Sequence, residues 1–366
     1  MRADLISSIS TSELTPLLDS TTPPFLLDVR EPDEVSDWSI PGVHNIPLGA
    51  LASRLNEVPR DSLVVVICAL GSRAQLGAEI LAKEDVASQV LDGGMAAWAR
   101  TYDRVEAAFG DATVVQIRRR GKGCLSYVIG SGSTAIVIDP STDLAQYEDV
   151  ANKHGWHIEH ILDTHLHADH VSGSRELRSR TGATLWLNPA DGFRFDFRVL
   201  RDGVSIELVP GVQLDVASVS VPGHTEGSTM FQLDSRAIFT GDTLFLESVG
   251  RPDLADEAEV FARHLYKSLH ERVLPLADDI MVFPAHYGAS VDVHSGEFVA
   301  APLGELRKKL AVLAVGEDEF VAWAVARVKD RPPNYREIVL INSGQHARSD
   351  AASELEIGPN RCAIAS

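Results

Sequence analysis

The segment Thr164–Ser172, THLHADHVS, constrains this chain more than any other. Four groups able to hold a metal, His165, His167, Asp169 and His170, crowd directly behind the apolar run Ile158–Leu162. Imidazoles and a carboxylate at this density suit a first-row transition metal. Three more candidates each follow a strand pattern. They are His224 in VPGHTEG after Ala217–Val221, Asp242 in FTGDTLF after Ala237–Phe239, and His286 in FPAHYG after Ile280–Phe283. Strand ends on one edge of a sheet converge, so ligands distant in sequence can share a centre. Taken alone, seven such groups are enough for two metals. His154, His157 and His160 lack comparable strand-end placing and read as surface or packing residues.

A chain of 366 residues exceeds one ordinary core, so two domains are expected. The first half alternates short β-branched runs with helical patterns. Phe25–Val29, Leu63–Ile67 (LVVVI) and Val90–Leu91 read as strands; Ser72–Lys83 (SRAQLGAEILAK) and the segment carrying Trp98 read as helices. Such continuous apolar runs belong to a parallel sheet buried on both faces. This predicts a small α/β domain over residues 1–104, with a boundary between Asp103 and Asp111. From residue 112 the pattern turns to hairpins, Val114–Arg118, Leu125–Ile129 and Ala135–Ile138, followed by strands and helices to residue 343. In the helix predicted over Glu257–Leu276, Phe261, Leu265, Leu269 and Val273 share one face. Residues 344–366 are polar and rich in small residues, and are expected to be disordered.

Acidic residues outnumber basic ones by 52 to 33, a net charge of −19 that repels phosphate backbones and anionic membranes. Nucleic acid and membrane are therefore excluded as partners, whereas a local arginine still permits a small anion. No window is long and apolar enough to span a bilayer, and MRADLISSIS lacks a signal-peptide pattern. The three cysteines, Cys68, Cys124 and Cys362, are too sparse for a disulfide framework and fit a reducing, cytoplasmic setting. Homo-oligomerisation is left open.

Cys68 ends a buried strand and opens the loop CALGSR before a helix. Gly71 lets the backbone curl, so that loop amides and the helix N-terminus can point at the sulfur and favour the thiolate. Arg73 can attract thiosulfate. Cys124, in a strand pattern, reads as a core residue, and Cys362, in the tail, as incidental.

CALGSR, with DVREPDEVSDWSIPGVHNIPL (Asp28–Leu48) and LDGGMAAW (Leu91–Trp98), resembles rhodanese domains over Thr11–Arg104. The metal-ligating segments resemble the metallo-β-lactamase superfamily over Thr113–Asn342, which implies an αββα sandwich with the metal on one edge. Within that superfamily, TGDTLFLESVGRPDL (Thr240–Leu254) and RPPNYREIVLIN (Arg331–Asn342) are similar to segments of persulfide dioxygenases, many of them fused to rhodanese domains in bacteria. That resemblance implies one Fe(2+) per chain on His165, His224 and Asp242, a face that leaves positions open for O2 and a substrate sulfur. A thiol persulfide, such as glutathione persulfide, would be oxidised to sulfite, with sulfane sulfur transferred through Cys68 and its direction between the domains left open. His167, Asp169, His170 and His286 would orient ligands and water, or hold a second metal. Arg251 and Tyr287 are the substrate-binding candidates; a structural salt bridge is the other reading of Arg251. PAHYG departs from the stand-alone glutathione-persulfide enzymes, which carry an acidic residue after this histidine. The alternative is a glyoxalase II-type thioester hydrolase with two Zn(2+) and the rhodanese domain as passenger.

Overall fold

The computed structural model describes residues 5–209, 212–253, 257–288, 291, 293–328, 331, 334–349, 352–358 and 362. Leu254, Pro332 and Pro333, inside two of the segments used above, lie outside the described residues.

The first unit is a parallel sheet of β1 (Ile6–Ile9), β2 (Phe25–Asp28), β3 (His44–Asn45), β4 (Val64–Ile67) and β5 (Ser88–Leu91), in the order β1-β5-β4-β2-β3. β4 shows why its sequence is apolar throughout. Val64 and Val66 enter one core, with Ala74, Ala78 and Leu81 of the helix Ser72–Lys83. Val65 and Ile67 enter the opposite core, with Leu14, Met95 and Trp98. A strand covered on both faces has no polar side to show.

The second unit packs two sheets face to face. One contains β6 (Tyr102–Phe109), β7 (Ala112–Arg119), β8 (Cys124–Ser131), β9 (Thr134–Ile138), β10 (His157–Leu162), β11 (Thr184–Leu187) and β12 (Arg198–Val199), in the order β12-β11-β10-β9-β8-β7-β6. The other contains β13 (Ile206–Val209), β14 (Val212–Ser220), β15 (Thr229–Leu233), β16 (Ala237–Gly241), β17 (Met281–Pro284) and β18 (Ala301–Pro302), in chain order. Tyr127, Phe239 and Phe283 fill the space between them, with ring centroids 4.8–5.7 Å apart. On its outer face the first of these sheets is covered by Tyr147, Val150 and Leu177 of the helices Ala145–His154 and Ser174–Thr181. Alternation along β7 explains this division: Val114 faces the inter-sheet core and Val115 the helices. The αββα sandwich is as the sequence implies.

Two expectations are corrected. The stretch Asp103–Asp111, read as a boundary, forms most of β6, which pairs with β7 along its whole length from Tyr102↔Arg119 to Phe109↔Ala112. Its residues, nearly all exposed or half-buried, suit an outer strand, and the chain passes between units at residues 99–102 instead. There Arg119 Nε donates to Ala99 O (2.6 Å), Arg120 N donates to Thr101 O (2.9 Å), and Trp38 Nε1 reaches Gly121 O (2.8 Å). The expected disordered tail is also wrong for its described residues. Glu356 and Cys362 are both buried, because Glu356 pairs with buried Arg119. The predicted helix Glu257–Leu276 forms as Ala258–Ser268 and then widens over Leu269–Val273, where Leu274 N bonds Leu269 O.

Candidate metal centre

All seven predicted metal residues gather at one edge of the sandwich, each at most 3% exposed. The loop carrying four of them is held by Asp139, at the end of β9 in a left-handed conformation (φ 52°) that is costly for a residue with a Cβ. Its carboxylate accepts from Thr164 N (2.7 Å), Thr164 Oγ1 (2.8 Å) and His167 Nε2 (3.1 Å). Asp191 joins the same loop to the His224 loop, accepting from Leu166 N (2.7 Å) and Gly227 N (2.8 Å). From the far end of the chain, Asn342 Nδ2 donates to His167 O (2.9 Å) and His170 O (2.8 Å). Gly250 is required for close packing: a Cβ there would lie 1.8 Å from Asp242 O.

Hydrogen bonds divide six of the seven residues into two sets. In the first, Thr164 Oγ1 gives its proton to Asp139 and so accepts from His165 Nδ1–H (2.9 Å), while His224 Nδ1–H donates to Arg251 O (3.0 Å). Both rings therefore turn an Nε2 lone pair inward. His165 Nε2 and His224 Nε2 lie 3.7 Å and 3.3 Å from Asp242 Oδ2. None of these three buried atoms has a hydrogen-bond partner among the described residues. Buried polar atoms left so are rare unless something else satisfies them. Burial, and then the neighbouring His167, holds His165 well below the usual imidazole range. Burial likewise lowers His224. Burial alone would raise Asp242, but the charge of His286 and its hydrogen bond outweigh it and keep the carboxyl ionised. Two neutral imidazoles and a carboxylate, orphaned around one point, fit a single cation.

The second set is closed on itself. His286 bridges two carboxylates, through Nδ1 to Asp242 Oδ1 (2.6 Å) and Nε2 to Asp169 Oδ2 (3.0 Å), and His170 Nδ1 donates to Asp169 Oδ1 (3.1 Å). Against burial, Asp242 and Asp169 raise His286 well above its usual range. Asp169, with Cys124, likewise pushes His170 up to about 10. His167 stands apart: Nε2 is held by Asp139, and Nδ1 has no partner among the described residues. Its ring lies 4.2 Å from that of His165.

Two cysteines join this site that the sequence reading left out. The start of β8 pairs with the His286 loop, Leu125 N to Ala285 O (2.7 Å) and Tyr287 N to Gly123 O (2.9 Å), which sets Cys124 beside His286. Cys124 Sγ contacts Asp169 Oδ2 at 3.5 Å. Burial and Asp169 raise the Cys124 thiol, but His286 and hydrogen bonds from His170 and His286 bring it down to about 7. Cys362 is buried next to Asp242 and His286. A strand pattern and a polar tail give no sign of either contact.

The substrate-binding candidates are placed elsewhere. Arg251 forms a buried pair with Asp253 (Nε–Oδ1 2.7 Å, Nη2–Oδ2 2.8 Å), the structural reading, and it is its carbonyl that serves the site. Tyr287 lines a cavity of about 640 Å³ between the two units, with Trp38, Trp98, Arg120 and Lys122, and its backbone N–H donates to Gly123 O. Another cavity, about 430 Å³, is lined by His224 of the centre with Phe261, Tyr335, Arg336 and Leu340.

In the first unit, Cys68 ends one residue past β4 and is 1% exposed. Gly71 N–H donates to its Sγ (3.1 Å), with Gly71 at φ 108°. Gly94 lets the next helix close on the loop: a Cβ would lie 2.2 Å from Cys68 O, and Met95 N donates to that carbonyl (2.9 Å). Arg73, the expected anion partner, is already paired. It makes two bonds of 2.7 Å to Glu34, whose carboxyl Arg73 pulls down to about 2.

Comparison with known proteins agrees with both units. Residues 119–286 match the metallo-beta-lactamase superfamily and residues 10–101 the rhodanese-like domain. The mitochondrial persulfide dioxygenase ETHE1 of Homo sapiens is 30% identical over 201 residues, covering 54% of this chain and 74% of that protein. A hydroxyacylglutathione hydrolase of Methylococcus capsulatus is 36% identical over 163 residues, covering 43% of this chain and 58% of the hydrolase, less than two thirds of its length. The crystal structure of ETHE1 from Myxococcus xanthus superposes with a TM-score of 0.55 at 26% identity, covering 63% of this chain and 97% of that one. No helix among the described residues is long and apolar enough to cross a membrane. The chain belongs to the metallo-β-lactamase superfamily, as a relative of the persulfide dioxygenases that carries a rhodanese-like domain.

Proposed function

We propose that this chain oxidises a thiol persulfide with O2 to sulfite and free thiol at one iron held by His165, His224 and Asp242. One observation carries the reading: among the described residues, His165 Nε2, His224 Nε2 and Asp242 Oδ2 are buried, unpartnered and close together, while Asp169, His170 and His286 are hydrogen-bonded to one another. A bound Fe(2+) would supply the redox chemistry that activates O2, on a face with room for a substrate sulfur. The chain's own residues do the rest. Thr164 and Arg251 O fix the two imidazole tautomers. His286 holds Asp242 by its second oxygen, so that Oδ2 stays aimed inward. His167 keeps a free acceptor beside His165, suited to orient water. The 430 Å³ cavity at His224 has the size of a small-molecule site, with Arg336 at hand for a carboxylate of the thiol. Cys68 would carry sulfane sulfur from thiosulfate to glutathione, its sulfur held by the Gly71 amide. Three free thiols suit a reducing, cytoplasmic setting.

The match to a hydroxyacylglutathione hydrolase favours a second reading, zinc-dependent thioester cleavage. One experiment separates the two. With glutathione persulfide in an oxygen electrode, the iron-loaded protein should consume O2 and produce sulfite in equal amounts. Cleavage of S-lactoylglutathione, without O2 uptake on the persulfide, would reject the dioxygenase reading.

A further inference from the structure

The charges beside the Cys68 loop are balanced within the protein itself. The only cation in CALGSR is Arg73, which stands in the first turn of the helix Ser72–Lys83, close behind the Gly71 amide that holds Cys68 Sγ. Hydrogen bonds to Glu34 raise Arg73 above its ordinary range and the charge of Cys68 adds to the effect, so the guanidinium lies within electrostatic reach of the sulfur. Both of its terminal nitrogens are taken by Glu34 of the short helix Pro32–Asp37, Nη1 donating to Oε2 and Nη2 to Oε1, each at 2.7 Å. Arg30 donates to Glu34 O (3.3 Å) and is itself paired with buried Asp28 (2.7 Å). Glu34 keeps its charge through the neutral range, since Arg73 pulls its carboxyl down to about 2.

Thiosulfate is a dianion, and at comparable distances a carboxylate repels it as strongly as a guanidinium attracts it. We propose that Glu34 sets the donor selectivity of the Cys68 site: it cancels the charge of Arg73, weakens capture of doubly charged thiosulfate, and so favours sulfane-sulfur donors of lower charge. Glu34 is a positioning residue, acting through Arg73 and taking no part in the bond changes. In these, the Cys68 thiolate gives an electron pair to the outer sulfur of thiosulfate. The new S–S bond forms as the old one breaks, and sulfite leaves with the pair of the broken bond. Cys68 is left as the persulfide anion, from which cyanide takes the sulfur as thiocyanate and restores the thiolate.

The inference rests on the reading of Cys68 as a sulfur carrier, and steady-state transfer from thiosulfate to cyanide by the full-length chain separates the two. Glu34→Gln keeps one acceptor oxygen for Glu31 N and Arg73 and loses the charge. Its KM for thiosulfate should fall several-fold with kcat within about twofold, and the gain should shrink with added salt, since the pair is about one-third exposed on each side. With benzenethiosulfonate, a monoanion that donates the same kind of sulfur, the fall should be about the square root of that for thiosulfate, because the interaction scales with ligand charge. Glu34→Ala, which keeps neither acceptor, should move KM the same way and carries the test if Glu34→Gln fails to fold. A thiosulfate KM that is unchanged or raised in a folded, active variant would overturn the proposal and leave the carrier reading standing. Equal falls for the two donors would also overturn it. Transfer that survives Cys68→Ser, or no transfer by the wild type or either Glu34 variant, would reject both readings.

Discussion

The Cys68 loop and the metal centre both form where strands end, but they are supported in opposite ways. Everything that positions Cys68 lies close in sequence: β4 before it, Gly71 in the loop, the helix from Ser72 after it, and Gly94 nearby. The metal centre draws on residues from Asp139 to Cys362. A local loop can be altered without moving a distant centre, whereas a dispersed centre feels changes anywhere along its supports. The two chemistries should therefore be separable from the Cys68 side and fragile from the metal side.

The largest effect expected is from Cys68→Ser. Transfer of sulfane sulfur from thiosulfate should fall to background, since a serine hydroxyl at neutral pH is too weakly ionised to replace a thiolate. Oxygen uptake with ready-made glutathione persulfide should stay within about twofold, because the centre uses no part of the loop. Loss of that uptake would mean the centre is fed only through Cys68, and the comparison would break.

Next is Glu356→Gln, far from Cys68 and not itself a ligand. It leaves Arg119 buried without its counter-charge, at a cost of roughly 3 kcal/mol. Because Glu356 also anchors Val171, metal affinity should drop together with the melting temperature while thiosulfate transfer at low temperature persists. Unchanged metal affinity, measured by chelator competition, would show that the Glu356 contacts are not a support of the centre. The smallest effect is expected from Arg73→Ala. Its pair with Glu34 is about one-third exposed on each side, so stability should change by less than about 1 kcal/mol. Removing the cation should still raise the thiosulfate KM several-fold, leaving oxygen uptake alone. An unaltered KM would assign Arg73 to Glu34 only.

How much of this was legible in the sequence follows the same division. The parallel sheet, the Cys68 loop and the strand-end ligands were readable, because each is written in a run of neighbouring residues. The separation of six of the seven ligands into an open triad and a hydrogen-bonded cluster was not readable. It depends on which nitrogen of each ring is tied, by Thr164 for His165 and by Arg251 O for His224. Asn342 acts on His167 and His170 across more than 170 residues, and Glu356 on Arg119 across 237, so no local spacing could announce them. For Arg251 the sequence left both a substrate role and a structural salt bridge open, for a related reason. Its motif drew attention to the guanidinium, whereas the backbone carbonyl faces the site.

The central claim is that this superfamily edge, with seven candidate ligands, holds one cation and not two. Metal content per folded chain, measured by elemental analysis on protein produced without added metal, tests it most directly, with Asp242→Ala beside the wild type. The wild type should carry one iron per chain, and Asp242→Ala should retain almost none, since it removes the only anionic ligand of the open triad. Two zinc ions per wild-type chain, with no gain of activity on adding ferrous iron, would contradict the account.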